Sequence, residues 1–176
     1  MNLPNRLTIS RVLLIPVMVV LLYLPGTGYA IAAGCVFALA SLTDWLDGRI
    51  ARKRHIETDF GRFLDPVADK LLVLSAMVML VWLKLLPAFV LVIVLARELS
   101  VDGLRMVAVG KGKVIAAGWL GKIKTTSQML LLLWLLFSRI PVAEHWLGIV
   151  LTAWVVVITL WSGVDYFVKN RDVMKG

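Results

Sequence analysis

Six long apolar segments dominate this sequence, and a helix of roughly 20 apolar residues is long enough to cross a lipid bilayer. The segments cover residues 11–24, 29–50, 65–85, 88–108, 119–137 and 146–168. Hydrophobic residues make up 60% of the 176 residues, and charged residues only 17%. A soluble domain of this size has too little interior to bury so much apolar surface. The sequence therefore excludes soluble, disordered and fibrous folds and predicts an all-α integral membrane protein.

The borders of the apolar segments carry residues that interrupt helices. Pro and Gly stand at these borders at Pro25, Gly26, Pro87, Gly110, Gly112 and Pro141. Residues 2–10 precede the first segment and are predicted to form a short amphipathic juxtamembrane helix. No internal repeat or domain boundary is visible, so residues 1–176 are predicted to form a single membrane domain with six transmembrane helices.

The basic residues are distributed unevenly between the two sides of this predicted arrangement. Lys and Arg number 19 against 11 Asp and Glu, which gives a net charge of +8. All bases except Lys84 and Arg139 lie on one predicted side of the membrane. They lie near the two termini, in every second connection between helices, or at the helix ends beside these segments. The positive-inside rule places that side, with both termini, in the cytoplasm. The bases are expected to meet anionic membrane lipids and not nucleic acid. The prediction is a multi-pass protein of the cytoplasmic (inner) cell membrane.

Acidic residues gather where the second apolar segment ends and the third begins. Asp44 and Asp47 are three residues apart, and Asp65 and Asp69 are four apart, so each pair lies on one face of a helix. The short connection makes the two helices antiparallel neighbours, which brings both carboxylate faces to the cytoplasmic end. Pro66 fits either the first turn of a helix capped by Asp65 or the interior of a helix that begins near residue 59.

Four converging carboxylates cannot all be ionised without a counter-charge, so this arrangement favours bound cations. Oxygen ligands without His or Cys suit Mg²⁺, Mn²⁺ or Ca²⁺, and a pair of ions can hold both oxygens of an in-line phosphoryl transfer. Gly48 and Gly61 leave room for a phosphate, and Arg52 can neutralise a phosphate oxygen. The alternative is that the acids only pair with nearby bases, which are Arg49, Arg52, Lys53, Arg54, Arg62 and Lys70. The string fixes eight residue identities over 26 positions, and so specific a pattern argues against simple ion pairing.

The whole string resembles the signature of the CDP-alcohol phosphotransferases, and consists of Asp44, Asp47, Gly48, Ala51, Arg52, Gly61, Asp65 and Asp69. The resemblance implies a membrane enzyme that moves a substituted phosphoryl group from a CDP-linked donor to an alcohol and releases CMP. It also implies six transmembrane helices, two Mg²⁺ or Mn²⁺ ions per active site and a homodimer. On this basis the four aspartates hold the metals, and Asp69 is the catalytic base for the attacking hydroxyl.

The same resemblance assigns residues to the CDP-linked donor. The candidate donor-binding residues are Asn5, Thr8, Asp47, Gly48, Ala51, Arg52 and Gly61. Asn5 and Thr8 belong to an amino-terminal segment that is similar to one which helps to hold the cytidine in relatives. A helix cap and ordinary polarity before a membrane helix explain these two residues equally well.

Four bases in the second half of the chain form a candidate acceptor site. They are Arg97, Arg105, Lys122 and Lys124. The two arginines are eight residues apart on one face of the fourth helix, and the two lysines open the fifth. An acceptor that carries its own phosphate needs such a pocket, whereas serine does not. The alternative is that the bases pair with Glu98 and Asp102 or touch lipid phosphates. These two acids are expected to orient the arginines and not to bind metal.

Further motifs resemble the branch of the family whose acceptor is sn-glycerol 3-phosphate, at residues 65–70, 96–98, 103–105, 121–125 and 161–167. This resemblance implies transfer of the phosphatidyl group from CDP-diacylglycerol to sn-glycerol 3-phosphate. One alternative is the same chemistry with another acceptor, such as serine or inositol phosphate. A divalent-cation transporter is an alternative from a different class, but its carboxylates would lie near the bilayer midplane. A non-catalytic lipid-binding subunit is a third, and it would not need Asp69.

Overall fold

The computed structural model describes the backbone of residues 3–54, 59–116 and 118–174, and the side chains of residues 8–43, 67–116 and 118–174. All regular structure in these ranges is helical. The α-helices are α1 (Leu3–Tyr23), α2 (Thr27–Arg54), α3 (Asp59–Trp82), α4 (Ala88–Gly110), α5 (Trp119–Ser138), α6 (Trp146–Lys169) and α7 (Arg171–Met174). A short 3₁₀ turn at Val142–Glu144 precedes α6. The prediction of an all-α fold is confirmed for the described part of the chain.

Two helix boundaries differ from the sequence-based expectation. Residues 3–10 do not form a separate juxtamembrane helix but continue directly into α1, because no residue between Asn5 and Val12 interrupts a helix. The apolar run was a poor guide to this boundary, since polarity changes there without any change in backbone preference. The helix α3 begins at Asp59, so Pro66 lies inside it, as the second of its two predicted placements requires.

The helix α6 has the properties of a membrane-spanning helix. It has 24 residues, and among the described residues it is the helix that is both long enough and apolar enough to cross a bilayer. Residues 8–23 and 27–43 form shorter apolar helical stretches. Its large apolar side chains remain exposed, among them Trp154, Val157, Leu160, Trp161, Val164 and Val168. Such a surface suits lipid and not water. Together with the composition, α6 indicates a membrane protein.

The first compact unit comprises residues up to Leu83 together with Leu132–Arg139 at the end of α5. Within it α1 packs against both α2 and α3. Small residues of α2 allow neighbouring helices to approach it closely. A Cβ atom added at Gly34, for example, would lie 3.1 Å from the Phe137 ring of α5. The best-buried apolar side chains of the unit include Met18, Phe37, Leu72, Met77, Leu80 and Leu135.

The second compact unit comprises Lys84–Leu131 and Ile140–Gly176. Its helix α4 packs against α6 and α7. Five buried residues form the core of this contact, namely Val101, Leu104, Ala108, Tyr166 and Val173. His145 caps the first turn of α6, where its Nδ1 accepts a hydrogen bond from the Leu147 backbone N–H at 3.2 Å.

Lys84 and Arg139, the two bases set apart by the charge pattern, share an uncommon backbone conformation. Their φ angles are 60° and 57°, in the left-handed region that glycine adopts most easily. Each follows the last turn of a helix, Lys84 after α3 and Arg139 after α5. A cation near a helix carboxyl terminus interacts favourably with the helix dipole, which offsets part of the backbone strain.

Candidate active site

The carboxylate signature lies on two helices, as its spacing predicts. Residues 44–54 belong to α2 and residues 59–69 to α3, so the three- and four-residue spacings are helical on both sides. The side chains of most signature residues fall outside the described part of the structure. They are Asp44, Asp47, Gly48, Ala51, Arg52, Gly61 and Asp65, and the side chain of Asn5 falls outside it as well. Their proposed roles stay predictions.

The described members of this region are Asp69 and Thr8. Asp69 is half-buried on α3, and Thr8 is buried on α1, which packs against α3. Where side chains are described, no group of three or more His, Cys, Asp or Glu residues is close enough together to hold a metal ion. Of the four predicted ligands, Asp69 alone belongs to that part of the chain.

Arg11 is a residue of this region that the sequence analysis did not single out. It lies three residues beyond Thr8 on α1, and its side chain is only 2% exposed. A buried guanidinium needs compensation by hydrogen bonds or negative charge, which marks the position as a candidate functional one. Its sequence signal was a charged residue at the start of the apolar run of α1.

In the second unit, one carboxylate holds two of the predicted acceptor bases. Arg97 Nη1 donates a hydrogen bond to Glu98 Oε1 at 3.2 Å, and Lys124 Nζ donates to the same oxygen. All three side chains are mostly buried. The predicted contact of Glu98 with Arg97 is present, and the structure adds Lys124 to it. Glu98 therefore joins a base of α4 and a base of α5 through one oxygen.

Two glycines make room for Arg97. A Cβ atom added at Gly163 of α6 would lie 3.3 Å from Arg97 Cγ, and one added at Gly121 of α5 would lie 3.5 Å from Arg97 Nη2. The side chain of Arg97 therefore runs between α5 and α6 at positions that lack side chains. Its buried Nε makes no hydrogen bond to the described residues, so the guanidinium has unused donor capacity.

Arg105, which lies nearer the carboxyl end of α4, also contacts α6. Its Nε donates a hydrogen bond to Tyr166 Oη at 2.9 Å, and its Cζ lies 5.4 Å from the centroid of the Tyr166 ring. Arg97 and Arg105 therefore both face α6, as their eight-residue spacing predicts. Asp102 is half-buried on α4, and its orienting role stays a prediction.

Lys122 is oriented differently from Lys124. Its ammonium group lies 5.6 Å from the centroid of the exposed Trp119 ring, and Lys122 itself is exposed. Residues two apart on a helix point to different sides, so Lys124 turns to Glu98 while Lys122 does not. The structure brings Arg97 and Lys124 together through Glu98, and it leaves Lys122 outside that group.

Comparisons with known proteins agree with the signature. The model of the CDP-alcohol phosphatidyltransferase family matches residues 1–161. The chain is 41% identical over 190 residues to a CDP-diacylglycerol–glycerol-3-phosphate 3-phosphatidyltransferase of Bacillus subtilis, covering 99% of this chain and 97% of the relative. It is 44% identical over 177 residues to proteins of the same name from Shigella flexneri and Escherichia coli, covering 97% of this chain and 95% of each relative.

Proposed function

Because the chain belongs to the CDP-alcohol phosphatidyltransferase family, we propose that it transfers the phosphatidyl group of CDP-diacylglycerol to sn-glycerol 3-phosphate. The products are phosphatidylglycerophosphate and CMP, and the first of them feeds phosphatidylglycerol and cardiolipin synthesis. The observation that carries the proposal is the near full-length similarity, at 41% and 44% identity, to enzymes named for this reaction. The complete signature between Asp44 and Asp69 supports it.

The acceptor phosphate is assigned to the basic residues of the second unit. Arg97, Arg105 and Lys124 are mostly or partly buried, and Glu98 contacts two of them. A dianionic phosphate suits a group of partly buried bases, whereas a neutral acceptor makes no use of them. Lys122 remains a fourth candidate for the same phosphate, although its exposed position makes it the most weakly supported of the set.

Divalent cations are a general requirement of this family. Two Mg²⁺ or Mn²⁺ ions are assigned to Asp44, Asp47, Asp65 and Asp69, because a ligand set made only of carboxylate oxygens fits these hard cations. When bound, such ions neutralise charge that develops on the phosphoryl oxygens. The CDP moiety is assigned to Asn5, Thr8, Asp47, Gly48, Ala51, Arg52 and Gly61.

Asp69 is assigned the proton transfer. Its carboxylate takes the proton from the attacking hydroxyl of sn-glycerol 3-phosphate, and the hydroxyl oxygen forms a bond to the phosphorus next to the diacylglycerol. The bond from that phosphorus to the CMP oxygen breaks, and CMP leaves with the electron pair. The arginines and Lys124 hold the acceptor through its own phosphate, which orients the hydroxyl for attack.

The proposal includes a topology and an assembly. Residues 1–176 form one functional domain with six spans, and both termini and the active site lie on the cytoplasmic side. The uneven distribution of the 19 bases supports this orientation. The family resemblance supports a homodimer, and the exposed bases suit contact with anionic lipids.

The first test measures CMP release by the purified protein in detergent. The assay contains Mg²⁺, CDP-diacylglycerol and one acceptor at a time, with an Asp69→Asn variant in parallel. We expect CMP release with sn-glycerol 3-phosphate and not with the other acceptors. The rate of release in the variant should be at least about 100-fold lower, since a positioned base contributes about that factor or more. Release with serine or inositol phosphate instead would overturn the acceptor, and full activity of the variant would overturn the base.

A further inference from the structure

Tyr166 on α6 makes a directed contact with a proposed acceptor residue. Its hydroxyl oxygen accepts the hydrogen bond from Arg105 Nε at 2.9 Å. This is the only hydrogen bond of Arg105 to the described residues, and it uses only one edge of the guanidinium. The two terminal nitrogens carry the paired donors that match the oxygens of a phosphate. Tyr166 therefore fixes the plane of the guanidinium without using the donors that a phosphate needs.

The ring of Tyr166 is itself held in place by packing. It is 6% exposed and lies in the buried cluster with Val101, Leu104 and Ala108 of α4 and Val173 of α7. The family model ends at residue 161, so neither Tyr166 nor Val173 belongs to the part of the chain that this model matches.

The short helix α7 is fastened at several points. Asn170 Nδ2 donates a hydrogen bond to the Tyr166 carbonyl at 2.7 Å, which turns the chain back at the end of α6. Lys111 Nζ, just beyond α4, donates to the Val173 carbonyl at 2.8 Å. Val173 is the one buried residue of α7 and is 4% exposed. These contacts hold α7 where Val173 joins the buried cluster that includes Tyr166.

We propose that Tyr166 is a positioning residue for the acceptor phosphate, and that Val173 of α7 keeps it in place. Tyr166 holds the Arg105 guanidinium in the orientation that binds the phosphate, so the side-chain entropy of Arg105 is lost before the acceptor binds. Val173 acts one step further away by confining the tyrosine ring. This inference rests on the proposed function, since it deepens the assignment of Arg105 to the acceptor.

The main test is Tyr166→Phe, which removes the hydroxyl and keeps the ring. We expect the KM for sn-glycerol 3-phosphate to rise roughly tenfold. The loss of a hydrogen bond to a charged group weakens an interaction by about this factor. The KM for CDP-diacylglycerol should stay within about twofold, because Arg105 is assigned to the acceptor alone. A residue with only a structural role would not raise one KM selectively.

A second variant tests the role of α7. Val173→Ala removes packing from the Tyr166 ring but leaves the hydrogen bond to Arg105 possible, and we expect a rise of about threefold in the same KM. Met174→Ala, at the exposed neighbouring position of α7, is the matched control and should leave this KM unchanged. In the double variant Tyr166→Phe/Val173→Ala, the KM should be no higher than in Tyr166→Phe alone, because both changes act through one contact.

The outcomes separate this inference from the proposed function. If wild-type protein uses sn-glycerol 3-phosphate and Tyr166→Phe changes its KM by less than twofold, the positioning role is wrong and the function stands. Equal increases in the KM of both substrates would also refute it. If the double variant raises the KM by the product of the two single effects, Val173 does not act through Tyr166. If the wild-type protein releases no CMP with sn-glycerol 3-phosphate, the function and the inference both fail.

Discussion

Glu98 is the residue on which the geometry of the basic cluster depends. A single oxygen, Oε1, accepts hydrogen bonds from Arg97 on its own helix and from Lys124 on α5. Without this carboxylate, two mostly buried cations would lose the counter-charge that they share. Breaking a buried ion pair by removing one partner costs about 3–5 kcal/mol, because a charge is left buried without compensation.

We therefore expect Glu98→Gln to destabilise the protein by about 3 kcal/mol. The KM for sn-glycerol 3-phosphate should rise, because Arg97 and Lys124 lose the carboxylate that positions them. Thermal unfolding in detergent measures the first effect, and steady-state kinetics the second. Glu144→Gln, at an exposed position in the 3₁₀ turn, is the control and should behave like wild type. A Glu98→Gln protein as stable as this control would show that the shared ion pair does not contribute.

Gly163 tests how closely Arg97 is confined. An added methyl group would lie 3.3 Å from Arg97 Cγ, an atom near the α4 backbone that cannot move aside as freely as the end of the side chain. We expect Gly163→Ala to raise the KM for sn-glycerol 3-phosphate several-fold. Stability should change by only about 1 kcal/mol, since the gain in helix propensity offsets part of the strain.

Gly103→Ala provides the matched control for Gly163→Ala. Gly103 is also helical, on α4, and an added Cβ there meets nothing within 4 Å. It should stabilise α4 by about 0.5–1 kcal/mol and leave the KM unchanged. Similar kinetics in the two alanine variants would mean that Arg97 is not confined by α6 in the way described.

The helix ends provide a prediction that does not involve the active site. Lys84 follows α3 with a φ of 60°, a conformation that costs a residue with a Cβ atom roughly 1–2 kcal/mol. We expect Lys84→Gly to raise the melting temperature, and Lys84→Val to lower it, because a β-branched residue tolerates this conformation worst.

Lys113→Gly serves as the control for Lys84→Gly, since Lys113 is exposed and its φ is not positive. Glycine there relieves no strain and only adds freedom to the unfolded chain, so it should lower the stability slightly. If both glycine variants shift the melting temperature in the same direction, strain at Lys84 is not the cause.

At the scale of the whole molecule, the unequal distribution of charge makes a prediction about topology. The chain contains a single cysteine, Cys35, so a Cys35→Ser background allows cysteines to be introduced one at a time. In intact cells, a membrane-impermeant thiol reagent should label Lys84→Cys and should reach Lys113→Cys only after permeabilisation. Labelling of Lys113→Cys in intact cells would reverse the proposed orientation, and labelling of both would contradict a span at 88–108.

Features that depend on neighbouring residues could be predicted from the amino-acid sequence. Apolar runs and their Pro and Gly borders located α4 and α6 to within two residues, since helix formation follows local pattern. The signature could be assigned to two helices for the same reason. The start of α1 was missed, because a change from polar to apolar residues was taken for a break in the helix.

Contacts between side chains of different helices could not be predicted in this way, because they depend on how the helices pack. Arg105 and Tyr166 are 61 residues apart and Glu98 and Lys124 are 26 apart, and no local pattern relates the members of either pair. Lys122 and Lys124 looked equivalent in the sequence, yet only Lys124 reaches Glu98. The rotation of α5 about its own axis decides that difference. This rotation is set by how the helix packs against its neighbours and not by the order of its residues alone.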